Sequence, residues 1–316
     1  MTAESPSPSE PSPAVPAPPP AIGGPPWPPR RRRVALPAAL FLATCVSTFW
    51  AGAANWQPVL YMTGYAQAGE VLRQRWPQGL AYMAAVVGIL LAHEMGHFLM
   101  TLRHRVPASF PFFLPLPVLF GTMGAVIGMQ GSRADRRQIF DVGVAGPLAG
   151  LAVAVPVLWI GVRQLEPVGL PGLGLAFHNP LLLQWMIGWL HPEYANRAVL
   201  HLNHFNPWLM AGWAGLFVTG LNMLPIGQFD GGHVAYALLG RRAHLLARSL
   251  VVGTILFILV TELYVWVLMF VLVILLGTDH PPTANDSARL GWFRRLLGWI
   301  TLTVPILCFP PLGITP

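Results

Sequence analysis

An apolar stretch of the 316-residue chain contains His93-Glu94-Met95-Gly96-His97. On an α-helix, residues i and i+4 lie about 40° apart around the axis, so both imidazoles face one way and can grip one metal ion. Glu94 lies about 100° round from His93, near enough to take a proton from a water on that ion. Such a three-residue pattern also arises by chance, and on a soluble helix it can be a hydrogen-bonded polar face. A bilayer weakens that alternative. An ionisable side chain near a helix centre costs at least ~2.5 kcal/mol on insertion scales, and a divalent cation compensates all of these groups together.

Two histidines leave a metal site short of ligands. A third histidine six residues after His97 would complete one pattern, but Arg103 stands there and His104 is one place late. The remaining donor must therefore be distant. The acidic candidates weighed in or beside apolar spans are Glu94, Asp230 and Glu262. Asp230 ends the run Asn222-Met223-Leu224-Pro225-Ile226-Gly227-Gln228-Phe229-Asp230 and precedes Gly231-Gly232. Pro225 and Gly227 stop a helix, and the paired glycines let the backbone turn closely around the carboxylate. An Asp before two glycines is commonly a turn or N-cap residue, but the expected depth of Asp230, level with His97, favours the ligand.

The surroundings follow from composition. The chain is 54% hydrophobic and 10% charged, with a mean hydropathy of +0.56, whereas soluble domains carry about 25% charged residues. So few charges cannot build a water-facing surface, which excludes an ordinary soluble enzyme. The net charge is +7, and all 19 basic residues are Arg. They cluster between apolar stretches, at Arg30 to Arg33, Arg103/Arg105, Arg133/Arg136/Arg137 and Arg241/Arg242/Arg248, as the positive-inside rule predicts. No basic face interleaved with aromatics points to nucleic acid. Cys45 and Cys308 both fall in apolar segments, form no disulfide framework and are expected to be inert.

These features predict an all-α polytopic membrane protein of about six transmembrane helices. Spans are expected at 34–54, 79–102, 139–163, 207–226 and 250–276, with a weaker one at 297–313 interrupted by prolines. Residues 1–33 read as a disordered Pro-rich tail with an Arg cluster, 34–276 as the transmembrane core, and 277–316 as a linker and C-terminal apolar segment. A cleaved secretory leader is the rival reading of the first span; the length of the run and of the preceding tail favours an uncleaved helix. Arg30 to Arg33 place the N-terminus in the cytoplasm of a cell membrane, with a plastid membrane as the alternative. Arg294/Arg295 fit this arrangement poorly. Phe110 to Gln130 carries no charge, but Pro111, Pro115 and Pro117 break it as a helix. It reads as a hairpin or re-entrant element at the cytoplasmic face, and backbone at that depth implies a protein-lined or wet cavity nearby. Leu181 to Leu190 is too short to cross and reads as an interfacial helix.

The HExxH in a membrane span, Gly146-Pro147-Leu148-Ala149-Gly150 on the next, and Asn-x-x-Pro with Asp-Gly-Gly on a later one together resemble the site-2 protease family of intramembrane zinc metalloproteases. The resemblance covers roughly residues 79–240. Asp141 to Gly150, and Ala211-Gly212-Trp213 through Gly227-Gln228-Phe229-Asp230-Gly231-Gly232-His233, look most like its plant chloroplast branch and bacterial relatives. Phe229 departs from the Leu that usually precedes the aspartate. No insertion is long enough for a PDZ domain, and the C-terminal end is too short for CBS domains.

The resemblance implies one Zn2+ per chain on His93, His97 and Asp230, with Glu94 as the catalytic residue, and hydrolysis within membrane-protein substrates. The substrate is expected to be single-pass, and its helix must unwind before cleavage. Asn222 could hold an unwound strand or polarise the carbonyl; a buried Asn bonded to a neighbouring helix is the equal alternative. The 110–130 hairpin could add the substrate as a further strand. Gly146 to Gly150 read as small-residue packing, and Glu262 as either functional or snorkelling. His201 and His204 read as solvated loop residues, and His233 as a group that could orient Asp230. A metal-ion transporter is the rival function, but it would show internal repeats with paired broken helices, and no second copy of either motif is present. A catalytically inactive scaffold has no need of a costly Glu94.

Overall fold

The computed structural model describes residues 34–57, 65–166, 175–194, 198–263, 266–267, 271, 273–274, 277–310 and 312–315. The Pro-rich tail and Arg30 to Arg33 lie outside them.

The first apolar run forms α1 (Ala35–Ala53). The second forms α2 (Tyr65–Arg103), which at 39 residues is about 58 Å long, more than a bilayer with its headgroups needs. It starts well before the expected residue 79 because its first turns are polar but helix-forming. Arg73 pairs with Glu70 at 2.8 Å one turn away, and Gln74 also bonds Glu70. α3 (Arg136–Arg163) opens on a capping box: Asp135 accepts from the Arg137 and Gln138 backbone N–H groups, and the Gln138 side chain accepts from the Asp135 N–H.

α3 packs against α2, α5 (Pro207–Asn222) and α6 (Asp230–Leu239). At one end of α3 the Asn206 amide donates to the Gly161 carbonyl at 2.8 Å. At its other end the Arg136 guanidinium donates to the Ala237 carbonyl at 2.7 Å and to that of Leu238 at 3.3 Å. α5 and α6 therefore run the length of α3 as one interrupted helix, broken over residues 223–229. The expected span 207–226 is its first part.

Two expected spans are corrected. The expected span 250–276 is not one helix: α7 (Arg242–Thr261) starts earlier and ends sooner, and residues 266–267, 271 and 273–274 are again helical. α7 stops because Glu262 adopts a left-handed conformation (φ 55°) with its N–H bonded to Ile258, a backbone feature that hydropathy does not sense. The terminal apolar stretch forms two short helices, α8 (Trp292–Thr301) and α9 (Val304–Cys308). Arg294 at its start is satisfied by Asp141 of α3, at 2.7 and 2.9 Å, and His104 bonds the same carboxylate at 3.0 Å. Among the described residues, four helices (α1, α2, α3 and α7) are long and apolar enough to cross a membrane.

The fold is mostly helical, with small antiparallel sheets. The prolines of 110–130 yield a hairpin, β1 (Phe112–Pro115) and β2 (Thr122–Val126), with Phe112 opposite Val126. β1 rests on α1 through Phe41 and Phe113, and the turn reaches Ser47, whose hydroxyl donates to the Gly121 carbonyl at 2.5 Å. The Tyr82 hydroxyl of α2 donates to the Phe120 carbonyl at 3.0 Å. Beyond α3, β3 (Ala176–His178) pairs with both β4 (Val199–His201) and β5 (Ile314–Thr315). Leu181–Leu190 is α4, with Leu183, Met186 and Ile187 buried and Trp185 and Trp189 exposed.

Candidate metal centre

The two histidines project from the buried side of α2 toward α3, with His93 3%, Glu94 4% and His97 5% exposed. The break between α5 and α6 delivers Asp230 to them as the first residue of α6. The turn must pass very close to that helix start. A Cβ on Gly231 would meet the Met223 carbonyl, and one on Gly232 the Gly227 and Ile226 carbonyls. Only the paired glycines allow this approach.

His93 Nε2 lies 3.1 Å from His97 Nε2 and 3.2 Å from Asp230 Oδ2, which is 3.3 Å from His97 Nε2. Ligands about 2.0–2.1 Å from a tetrahedral ion stand about 3.3 Å from one another, so the near-equilateral triangle fits three corners of a zinc site. Among the described residues it is the only group of His, Cys, Asp or Glu with three such atoms together. The orientation of His97 is fixed from behind: its Nδ1 donates to the Val142 carbonyl of α3 at 2.8 Å. That bond places the proton on Nδ1 and turns the Nε2 lone pair toward the triangle.

α3 approaches α2 closely enough for the rings to sit on bare backbone. A Cβ on Gly146 would fall onto the His97 ring, against Nε2, Cε1 and Cδ2, and one on Gly150 would lie 3.0 Å from His93 Nδ1. The glycines read as packing residues make room for the two imidazoles. Their shared spacing of four was the available signal.

The triangle opens into a cavity of about 560 Å³, also lined by Glu94, Asn222, Ala125 to Ile127 of the hairpin, Gln228, His233 and His280. Glu94 Oε2 is buried without a hydrogen-bond partner among the described residues. Asn222 Nδ2 lies 3.4 Å from His93 Nε2. His233 bonds His280 rather than Asp230, at 2.6 Å; His280 carries no motif and was not foreseen. Glu262 is exposed at the end of α7, outside the cavity lining. The rings of His201 and His204 lie 6.3 Å apart, with no third donor joining them in a metal-binding group among the described residues. His204 is buried rather than solvated, because the short turn after β4 folds it inward.

The sequence profile of Peptidase family M50 matches residues 81–261. The probable zinc metalloprotease EGY1, chloroplastic, of Arabidopsis thaliana is 33% identical over 242 residues, covering 73% of this chain and 42% of its own length. Probable zinc metalloprotease EGY2, chloroplastic, of the same plant is 30% identical over 175 residues, 55% of this chain and 30% of that protein. EGY3, chloroplastic, also named a probable zinc metalloprotease, from Oryza sativa subsp. indica, is 29% identical over 252 residues, 74% and 42% respectively. The chain thus spans less than half the length of these relatives. No solved structure matches. With a family profile covering more than half of its residues, the chain belongs to Peptidase family M50.

Proposed function

We propose that this protein is an intramembrane zinc metalloprotease that hydrolyses peptide bonds in or near transmembrane segments of membrane-protein substrates. The observation that carries the reading is the triangle of His93, His97 and Asp230, assembled from a spanning helix and an interrupted one, with Glu94 beside it in a cavity. His93, His97 and Asp230 hold one Zn2+. When bound, the ion supplies Lewis acidity, activating a water and polarising the scissile carbonyl. Glu94 accepts the proton of the attacking water at Oε2 and returns it to the leaving nitrogen. The Asn222 amide stands beside His93, where it can donate to a substrate carbonyl. Among the described residues β2 is paired on one side only, and it lines the cavity with Ala125 and Val126. Its open edge suits an unwound substrate segment added as a strand.

The first test is elemental analysis of the detergent-purified protein beside Asp230→Ala. Wild type should hold about one zinc per chain, and the variant should lose at least 90% of it, because two histidines alone rarely retain the ion. Wild type without metal after zinc is supplied would sink the mechanism. A variant that keeps its zinc would remove Asp230 from the ligand set.

The substrate is a single-pass membrane protein, and the enzyme sits in a cell membrane with its N-terminus in the cytoplasm. In this reading α1, α2, α3 and the interrupted α5 with α6 make four successive crossings that return residue 240 to the cytoplasmic side, and α7 follows. This topology puts Arg105 and Gln164 on opposite sides. A reporter active only in the cytoplasm should work when fused after Arg105 and fail after Gln164; equal activity at both positions would reject the topology.

A further inference from the structure

The cavity has one wall that the metal ligands do not use. His233, on the first turn of α6, lines it together with Gly277, His280 and Pro281 from the segment after α7. His280 Nδ1 lies 2.5 Å from the Pro281 carbonyl oxygen, and His280 Nε2 lies 2.6 Å from His233 Nδ1. A carbonyl oxygen only accepts, so His280 carries a proton on Nδ1. Its side chain is 6% exposed, and burial lowers its pKa and keeps the ring neutral. A neutral imidazole protonated on Nδ1 has a lone pair on Nε2, so His280 accepts there and His233 Nδ1 donates. Neutral His233 is then left with its own lone pair on Nε2, to which no described residue donates.

The arrangement is braced on every side. Tyr236, one turn along α6, stacks on the His280 ring at 4.4 Å and 13°, and on that of His244 at 5.7 Å. The Tyr236 hydroxyl donates to Asp286 at 2.9 Å, and Thr283 donates to the same carboxylate at 2.6 Å. The backbone of residues 277–286 is tied in as well: Gly227 N–H donates to the Thr278 carbonyl at 3.0 Å and Ala284 N–H to that of Ala134 at 2.9 Å.

An unwound peptide in a water-poor cavity has lost the helical acceptors of its N–H groups, and each one left unmet costs free energy. The cavity therefore needs acceptors as well as the groups that act on the carbonyl. We infer that His233 contacts the substrate, its Nε2 accepting a hydrogen bond from a backbone N–H beside the scissile bond, and that His280 is the positioning residue that fixes this tautomer. This rests on the protease reading above.

The test uses the full-length protein in detergent, ring-¹⁵N-labelled at histidine, with His280→Leu, His233→Leu and His233→Gln. In metal-depleted wild type, NMR should place the proton on Nδ1 of both His233 and His280; a protonated Nε2 on His233 overturns the inference. His280→Leu should abolish the fixed tautomer of His233. With zinc restored, His233→Leu should cleave a transmembrane reporter about 10- to 30-fold more slowly, as expected for losing one hydrogen bond, at unchanged zinc content. His233→Gln, whose Oε1 can accept, should recover most of that rate. Variants that cleave at the wild-type rate, or a His233→Leu protein whose slower rate tracks lost zinc, would overturn it while leaving the protease reading intact. A wild type that binds zinc but never cleaves would sink the protease reading, and this inference with it.

Discussion

Glu94→Gln is expected to lower reporter cleavage by at least about 10³-fold, the scale of general-base loss, while zinc stays near one per chain. Gln has the volume and shape of Glu, so the packing around a side chain 4% exposed is preserved. What it lacks is a group that can take up a proton and hand it on. Glu94 Oε2 has no protein partner among the described residues, so the exchange breaks no existing hydrogen bond there. Burying a neutral amide also costs less than burying a carboxylate. The variant should fold at least as well as wild type, and a loss of cleavage can be assigned to chemistry. Cleavage at the wild-type rate would remove Glu94 from the mechanism. Loss of zinc would make it a ligand or a structural support instead.

The residues of this site were legible because its strongest signal is local. His93, Glu94 and His97 need only one helical turn and a bilayer to become a metal-binding face. Asp230 could be matched to them because two spans expected to run inward bring residues 97 and 230 to similar depth. The interruption at 223–229 was legible from Pro225 and Gly227, and the hairpin from Pro111, Pro115 and Pro117. What escaped depends on pairings between distant segments. The Val142 carbonyl is an ordinary backbone group until α3 places it 2.8 Å from His97 Nδ1. His280 lies 47 residues from the His233 it bonds. Arg294 looked misplaced because its partner, Asp141, sits on another helix. Span limits failed for a different reason. Hydropathy averages over a window, so it missed the polar opening turns of α2, held by Glu70 with Arg73 and Gln74, and the single left-handed residue, Glu262, that ends α7.

The smallest substitution with a large expected effect is one methyl group at Gly146. Gly146→Ala should weaken zinc binding by at least about 100-fold, beyond the usual cost of disturbing a group behind a metal ligand. The added Cβ would lie on the His97 ring at Nε2, the atom that faces Asp230. α3 cannot simply retreat, because α8 packs on another side of it, with Arg294 bonded to Asp141 at 2.7 Å and Gly298 close against Phe140. The imidazole must therefore swing away, breaking its bond to the Val142 carbonyl and leaving the triangle. Gly150→Ala should be milder: its Cβ would stand 3.0 Å from His93 Nδ1, and a shift of a few tenths of an ångström relieves that contact. Gly88→Ala, with nothing within 4 Å of the new Cβ, is the control on the same helix as the histidines. All three changes favour helix by up to about 1 kcal/mol, so a loss at Gly146 cannot come from weakened helices. Zinc retained per chain against graded chelator should fall in the order Gly88→Ala, Gly150→Ala, Gly146→Ala. If Gly146→Ala retains zinc as well as Gly88→Ala does, the His97 ring does not rest on α3, and the fixed lone pair that makes it a ligand has lost its cause.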